Sequence, residues 1–251
     1  GSPGPKALAV LAGEPLVVHA ARALSVSGVV ERIVVAAPAG AEADVERALA
    51  AAGLGVRVEV VTGGASRQAS VAAGLARLSD VGGDRVVLVH DAARPLVPVA
   101  VVRRVAAAVT EGRTAVIPGL PVPDTVKQVA GDTVVSTVDR GRLRAVQTPQ
   151  GFTLDVLRSA HAAGSHLAAA EDTAATDDAA LVEALGVPVW VVAGDPDAMK
   201  ITTARDLRVA GSLTGGDAPP TALPRTGIGV DVHAFAEGPD TELWVAGLHW
   251  P

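Results

Sequence analysis

The sequence predicts an α/β protein built on an open, doubly wound, Rossmann-like sheet with a β-hairpin arm, plus a short C-terminal fragment of a second, α+β domain. Three observations predict it. Short β-branched runs alternate with Ala/Leu/Arg stretches of helical periodicity, the pattern of strands and crossover helices in a parallel sheet. Hydrophobic residues make up 49% of the 251 residues but aromatics only 2%, so the core must be Val, Leu, Ala and Ile, which suit a sheet buried on both faces. The run TGGDAPPTALP at 214–224 has no apolar periodicity and reads as an interdomain linker.

In chain order, 15–25, 41–52, 66–78 and 98–111 read as helices, and 32–37, 56–62 and 85–90 as buried parallel strands. A strand-like 114–118 follows. The pattern then changes, because 125–138 holds two β-like runs around Gly131-Asp132, a hairpin arm. Helices near 154–162 and 173–185, a strand at 189–193 and a helix near 204–211 complete a first domain over 1–213. Residues 225–251 begin a strand-like pattern and are too few to form a core alone. Right-handed crossovers place a ligand site at the C-terminal ends of the strands.

Charge and composition exclude several classes. The net charge is -6 and tyrosine is absent, which argues against a nucleic-acid partner, since such proteins present basic faces and stacking aromatics. No cysteine is present, so disulfides and thiolate metal sites are ruled out. No apolar run reaches the length of a membrane span, and the N-terminus carries no signal-peptide pattern. The chain reads as a soluble, cytoplasmic protein. Of its 21 basic residues only Lys6, Lys127 and Lys200 are lysines. Where Arg is the ordinary cation, a Lys marks either a compact point charge at a site or nothing more than sampling.

Four segments carry chemistry. Thr62-Gly63-Gly64-Ala65-Ser66-Arg67-Gln68-Ala69-Ser70 joins a strand to a helix. Its glycines permit close backbone approach, the helix start offers free N–H donors, and Ser66 is the expected N-cap. In HDAARP at 90–95, Asp91 follows a buried strand, where a carboxylate commonly holds Mg²⁺ beside a nucleotide phosphate. Arg94 behind it has a fork suited to phosphate; the plainer reading is a turn-capping Asp with a surface Arg. On the arm, Thr125 and Arg140 face each other across the hairpin, either as donors to one phosphate or as cross-strand partners on a solvated face. In DAMKIT at 197–202, Lys200 stands at another C-terminal strand end, as a phosphate-binding cation or an ordinary surface lysine.

Taken together, Pro5-Lys6, the Gly-Gly-x-x-Arg-x-x-Ser turn, HDAARP, DTVK at 124–127, TVDR at 137–140, QTPQ at 147–150, TDDAA at 176–180 and DAMKIT resemble, in order, the bacterial 2-C-methyl-D-erythritol 4-phosphate cytidylyltransferases. The resemblance covers residues 5–211. It implies a nucleotidyltransferase fold and attack of a polyol phosphate on the α-phosphorus of CTP, with pyrophosphate leaving. It implies that Lys6 and Lys200 are catalytic cations and that Asp91 holds Mg²⁺. Gly64 and Ser70 would lie in the cytosine-reading turn, and Arg94, Thr125, Arg140 and Asp197 would bind the methylerythritol phosphate. It also implies a homodimer whose arm, over 119–145, serves the neighbouring site. The family opens with a strand, central in its sheet, and a Gly-rich loop with an Arg ahead of Pro-Lys. Here Gly1-Ser2-Pro3-Gly4 stands in that place, and Ala65 stands where the family often has an acidic residue.

The tail from Arg225 through Val230-Asp231-Val232-His233 to Phe235 resembles the start of the 2-C-methyl-D-erythritol 2,4-cyclodiphosphate synthases. Residues at i and i+2 share one strand face, and the resemblance implies that Asp231 and His233 are two ligands of a catalytic Zn²⁺. His249 matches no ligand position. The sequence thus reads as part of a bifunctional fusion, with 225–251 the start of its second enzyme. Two other functions fit the first domain: a cytidylyltransferase for another polyol phosphate, or a non-catalytic nucleotide-binding and dimerisation module. A dinucleotide oxidoreductase does not fit, because no G-x-G-x-x-G follows a strand.

Overall fold

β-Branched runs such as RIVVAA and RVEVVT fit a pleated strand buried on both faces. In the computed structural model, which describes residues 5–167 and 175–215 and the backbone of 243–245 and 248–250, these two runs are parallel strands, paired from Arg32↔Arg57 to Ala37↔Thr62. The first half of the chain is β1 (Val10–Leu11), β2 (Glu14–Pro15), α1 (Leu16–Ser25), β3 (Arg32–Ala37), α2 (Glu42–Ala51), β4 (Arg57–Thr62), α3 (Arg67–Ala76), β5 (Val86–Val89) and α4 (Val99–Thr110). Then come β6 (Ala115–Pro121), β7 (Val126–Ala130), β8 (Thr133–Val138), β9 (Arg144–Val146), β10 (Gln150–Thr153), α5 (Leu154–Ala163), α6 (Asp178–Ala184), β11 (Trp190–Ala193) and α7 (Ala204–Leu213). The chain divides into two compact units, Gly1–Gly216 and Asp217–Pro251. In the second, Leu243–Val245 and Leu248–Trp250 form an antiparallel pair.

The larger sheet of the first unit runs β11-β6-β10-β5, with β9 also paired to β6. The β6–β11 pairing is parallel. Strand β5, expected to be a parallel strand, pairs antiparallel with β10 instead. The cause is β10 itself, which the sequence reading did not place: QGFT is short, and a Gly and a Gln interrupt its apolar pattern, so it carries no strand signal of its own. It nevertheless takes the position between β5 and β6. The β1–β2 hairpin and β9 were equally without local signal. The helix expected over 173–185 begins at Asp178 in the described residues, where Asp177 caps it by accepting the Ala180 N–H at 2.9 Å.

Helices cover both faces of the β layer. On one face, Val17, Val18 and Ala21 of α1 pack with Val45 and Leu49 of α2 against Ile33 and Ala37. There too α4 presents Val105, Ala108 and Val109 to Val116. On the other face, Leu75 of α3, Leu157 of α5 and Val182 of α6 close over Phe152. Each fully buried Val or Leu contributes about 1.5–3 kcal/mol, which is how an interior with so few aromatics is stabilised. The facing edges of β3 and β5 are not paired to each other. They line a cavity of about 1640 Å³ together with α1, α3 and α4.

Helix α4 lies closest to the sheet over Gly151. A Cβ added there would stand 2.6 Å from Val105 Cγ1 and 3.1 Å from Val109 Cγ2, neither of which is the far end of a flexible side chain. Replacing Gly151 by Ala should therefore lower unfolding stability by about 1–3 kcal/mol, the usual cost of overpacking. Urea denaturation should show a lower midpoint at unchanged slope, and an unaltered midpoint would contradict the close approach.

Candidate active site

The described site is assembled at the C-terminal ends of β4, β5 and β11. The turn after β4 is held by its own backbone. Gly63 N–H donates to Ala37 O at 2.7 Å, which fastens the turn to the end of β3. Gly64 N–H donates to Ser70 Oγ at 3.1 Å, and the Ser70 hydroxyl donates to Ser66 O at 2.9 Å. Ser66 caps α3 as expected, accepting the Ala69 N–H at 3.1 Å. A Cβ on Gly64 would collide with Ala69, and one on Gly63 would stand 2.9 Å from Ser70 Oγ. Two glycines are thus what lets this chain fold back on its own helix.

Asp91 is the centre of the group. Its Oδ2 lies 3.0 Å from Lys200 Nζ and its Oδ1 3.1 Å from Arg67 Nε. The carboxylate side chain is 16% exposed. Burial by itself would raise its pKa, but the Arg67 and Lys200 charges outweigh that and hold it below the usual carboxylate range. Its backbone N–H donates to Thr148 Oγ1 at 3.1 Å. Thr148 also meets His90 Nδ1 at 2.9 Å, and His90 Nε2 lies 3.1 Å from Arg94 O. A carbonyl only accepts, so Nε2 carries the His90 proton and Nδ1 accepts from the Thr148 hydroxyl. Burial pushes the His90 imidazole down to about 4, so it is neutral near pH 7.

Lys200 belongs to the loop after β11, and hydrogen bonds from three residues bring that loop to Asp91. Ile201 N–H donates to Ala93 O at 2.7 Å. The Gln147 side chain donates to Asp195 O at 2.8 Å and accepts the Asp195 N–H at 3.0 Å. Arg94 donates to Ala198 O at 2.7 Å and Val146 O at 3.2 Å. The fork of Arg94, expected on a substrate phosphate, is thus engaged with backbone carbonyls and braces the loop that carries Lys200. Asp197 is exposed on the same loop, its N–H donating to the Asp195 carboxylate at 2.9 Å.

Other expected residues stand apart from this group. Thr125 and Arg140 are exposed at the root of the arm, where Arg140 donates to Pro123 O; among the described residues neither pairs with Asp91. Lys6 is exposed on the 3₁₀ turn Lys6–Leu8. The next two residues, Ala7 and Leu8, pack against the same apolar cluster as Ala92. Asp231 and His233, expected as zinc ligands, lie outside the described residues. Among the described residues no three His, Cys, Asp or Glu side chains cluster as a metal site, and no helix is long and apolar enough to cross a membrane.

Sequence reasoning quoted Arg67, Gln147, Thr148 and Asp178 inside motifs but gave them no role. Their signal was polar residues in apolar surroundings, and only the fold shows what each one holds. In chemical terms the group offers a half-buried carboxylate between two cations, one of them half-exposed, together with a glycine turn before α3. Such a surface suits a polyphosphate with a base at one end.

Comparison with known proteins gives a consistent picture. The sequence profile of the 2-C-methyl-D-erythritol 4-phosphate cytidylyltransferase family matches residues 1–214. A cytidylyltransferase of that name from Saccharopolyspora erythraea is 54% identical, covering 84% of this chain and 91% of the relative. A bifunctional IspD/IspF enzyme from Clavibacter michiganensis is 48% identical over 98% of this chain, which spans 59% of that relative's length. The crystal structure of the Thermus thermophilus cytidylyltransferase superposes with a TM-score of 0.69 at 39% identity, covering 84% of this chain and 94% of the other.

The buried His90 generates a pH dependence. Its folded pKa, about 4, lies below the ordinary value of 6.5, so the unfolded chain takes up the proton first and stability falls as pH drops through that window. The slope for one such group is about 1.4 kcal/mol per pH unit. Unfolding free energy from urea titrations should therefore fall by about 2 kcal/mol more between pH 6.5 and 5 in wild type than in His90→Gln. Equal slopes for the two proteins would show that His90 is not held neutral.

Proposed function

This chain belongs to the 2-C-methyl-D-erythritol 4-phosphate cytidylyltransferase family, and from that premise we propose how its residues carry out cytidylyl transfer in isoprenoid precursor synthesis. The observation that carries the reading is the 3.0 Å pairing of Lys200 with Asp91, beside the Gly63-Gly64 turn. An oxygen of the substrate phosphate attacks the α-phosphorus of CTP, the bond from that phosphorus to the bridging oxygen breaks, and pyrophosphate leaves. Little covalent work falls to the protein, so positioning and charge neutralisation dominate. Lys200 meets the negative charge that builds at the α-phosphate, and Lys6 neutralises the triphosphate from the other side. The Gly64 and Ser70 turn reads the cytosine edge through backbone groups. Asp197 approaches the polyol hydroxyls.

Magnesium takes one or two carboxylates and completes its shell with water and substrate phosphates. Asp91, with spare lone pairs on both oxygens, fits an ion that arrives with CTP. Bound there, Mg²⁺ would supply charge neutralisation for the triphosphate. The arm supports a dimer reading. Val129, Val134 and Val135 on it are 55–61% exposed, more apolar surface than a solvated hairpin needs. In a homodimer Thr125 and Arg140 would serve the neighbour's site, together with Arg94 gripping the methylerythritol phosphate once its carbonyl partners yield. The alignment of bifunctional relatives across the linker supports reading 225–251 as part of a cyclodiphosphate synthase domain, with Asp231 and His233 as zinc ligands and lyase chemistry as its activity.

Pyrophosphate release with CTP, Mg²⁺ and 2-C-methyl-D-erythritol 4-phosphate tests the first activity. Lys200→Ala and Lys6→Ala should each lower kcat by about 10²–10³, as for removal of a group that stabilises transition-state charge. Turnover of ribitol phosphate in preference to the methylerythritol phosphate would reassign the substrate. Mixing tests the arm. Lys200→Ala and Arg140→Ala chains, inactive separately, should regain about a quarter of wild-type activity when refolded together, because half the dimers are mixed and each holds one intact composite site. No recovery would mean that each arm serves its own chain.

A further inference from the structure

The Asp91–Lys200 pair is one end of a longer series of paired polar side chains that runs into the interior. From Asp91 Oδ1 it passes to Arg67 Nε at 3.1 Å, from Arg67 Nη1 to Asp178 Oδ2 at 2.8 Å, and from Asp178 Oδ1 to His161 Nε2 at 2.8 Å. Its inner members are the more deeply buried: the side chain of Lys200 is 45% exposed, Asp91 16%, Arg67 21%, Asp178 1% and His161 6%. The functional reading above uses the first two members and leaves the others without a task. Arg67 spans two carboxylates with two different nitrogens, which a planar fork does and an ammonium cannot.

Its neighbour Gln68, also buried, ties the same helix turn to the same region. Gln68 donates to Gly164 O at 2.8 Å and accepts the Ala175 N–H at 3.1 Å. The first turn of α3 is thus fastened at two points to the end of α5 and the start of α6. From that anchored turn Arg67 reaches out to the carboxylate of Asp91.

We propose that Arg67 is a positioning residue for the cytidylyl-transfer site: fixed from behind by the buried Asp178–His161 pair, it sets the direction of the Asp91 carboxylate and, through it, the place of Lys200. The proposal rests on the functional reading only in calling the Asp91 group the reacting site. An isolated Asp91 would rotate about its side-chain bonds and follow Lys200 toward an incoming polyphosphate. With Oδ1 held by Arg67, Oδ2 keeps its direction, and Lys200 is free to turn its remaining donors to the ligand while Asp91 stays in place. A buried ion pair adds little net stability but is costly to break on one side, which is the property needed in an anchor.

The first test needs no substrate. The groups facing Asp91 are Arg67 from α3, Lys200 from the loop after β11, and His90 and Arg94 from its own segment. Carboxyl carbons of [¹³C]Asp-labelled full-length chain would be titrated, with Asp91 assigned by its loss in Asp91→Asn. In Arg67→Gln the Asp91 midpoint should move up toward the ordinary value; Asp178→Asn, which removes the anchor behind Arg67, should lower kcat although Asp178 does not touch Asp91. With substrates, Arg67→Gln should lower kcat about 10–100-fold, as for loss of a group that orients a ligating side chain. KM for the polyol phosphate should change by less than about threefold, since Arg67 makes no contact with it. If Arg67→Gln does not fold, Arg67→Lys keeps the charge and loses the fork; it should give the same directions at smaller size. An Asp91 midpoint equal to wild type in the folded Arg67 variant, or an unchanged kcat in Asp178→Asn, would overturn the proposal. Failure of wild type itself to turn over would count against the cytidylyl-transfer reading alone, because the titration decides Arg67 without it.

Discussion

A single carboxylate, Asp91, is the point at which three separate parts of the chain meet. One oxygen binds Arg67 at the start of α3, the other binds Lys200 beyond β11, and its N–H is held by Thr148 ahead of β10. Three loops from three strand ends are thereby brought to one point. The cost is the burial of a charge, which is tolerable because two cations and a hydrogen-bonded backbone surround it. Neutral polar groups complete the arrangement: burial keeps His90 uncharged, so the imidazole adds no positive charge beside the carboxylate.

Buried glutamines act as the fasteners of this region. Gln68, Gln147 and Gln150 each both donate and accept in clamping a loop. Gln68 holds Gly164 and Ala175, Gln147 holds Asp195 from both sides, and Gln150 holds Asp177 and the Ala179 N–H. An amide side chain offers one acceptor and two donors without charge, so it can replace missing backbone partners in a loop at no ionic cost. The loops of the site are consequently held from within, and function does not depend on stiffness in the loops themselves.

The arm is built on a different principle. Strands β7 and β8 pair from Val126↔Val138 to Ala130↔Thr133 with an irregularity between Gln128 and Val129, and nearly every residue on them is exposed. A lone two-stranded ribbon is marginal in water. Its valines lie uncovered while the interior of the first unit is closely packed. This separation of a rigid, internally fastened site from a solvated ribbon matches the division of labour proposed for the two.

Much of the fold was legible because its longer elements carry local periodicity. Helices α1, α2 and α4, strands β3, β4 and β11 and the arm stand within a residue or two of their sequence bounds, as runs of β-branched residues and helical stripes require. The Gly63-Gly64 turn, Asp91 and Lys200 were likewise visible, since residue type and position at a strand end suffice to single them out. Strand β10 was not, because four residues with a Gly and a Gln become a strand only when β5 and β6 supply the ladder on either side. The partners of the polar residues were equally hidden. That Arg94 braces the Lys200 loop through carbonyls, and that Arg67 bridges Asp91 to Asp178, are facts about distances between remote segments. Sequence by itself determined which residues are charged, apolar or turn-forming; the packing of helices on the sheet alone decided which charge meets which, because Coulomb and hydrogen-bond energies depend on separations that no local pattern encodes.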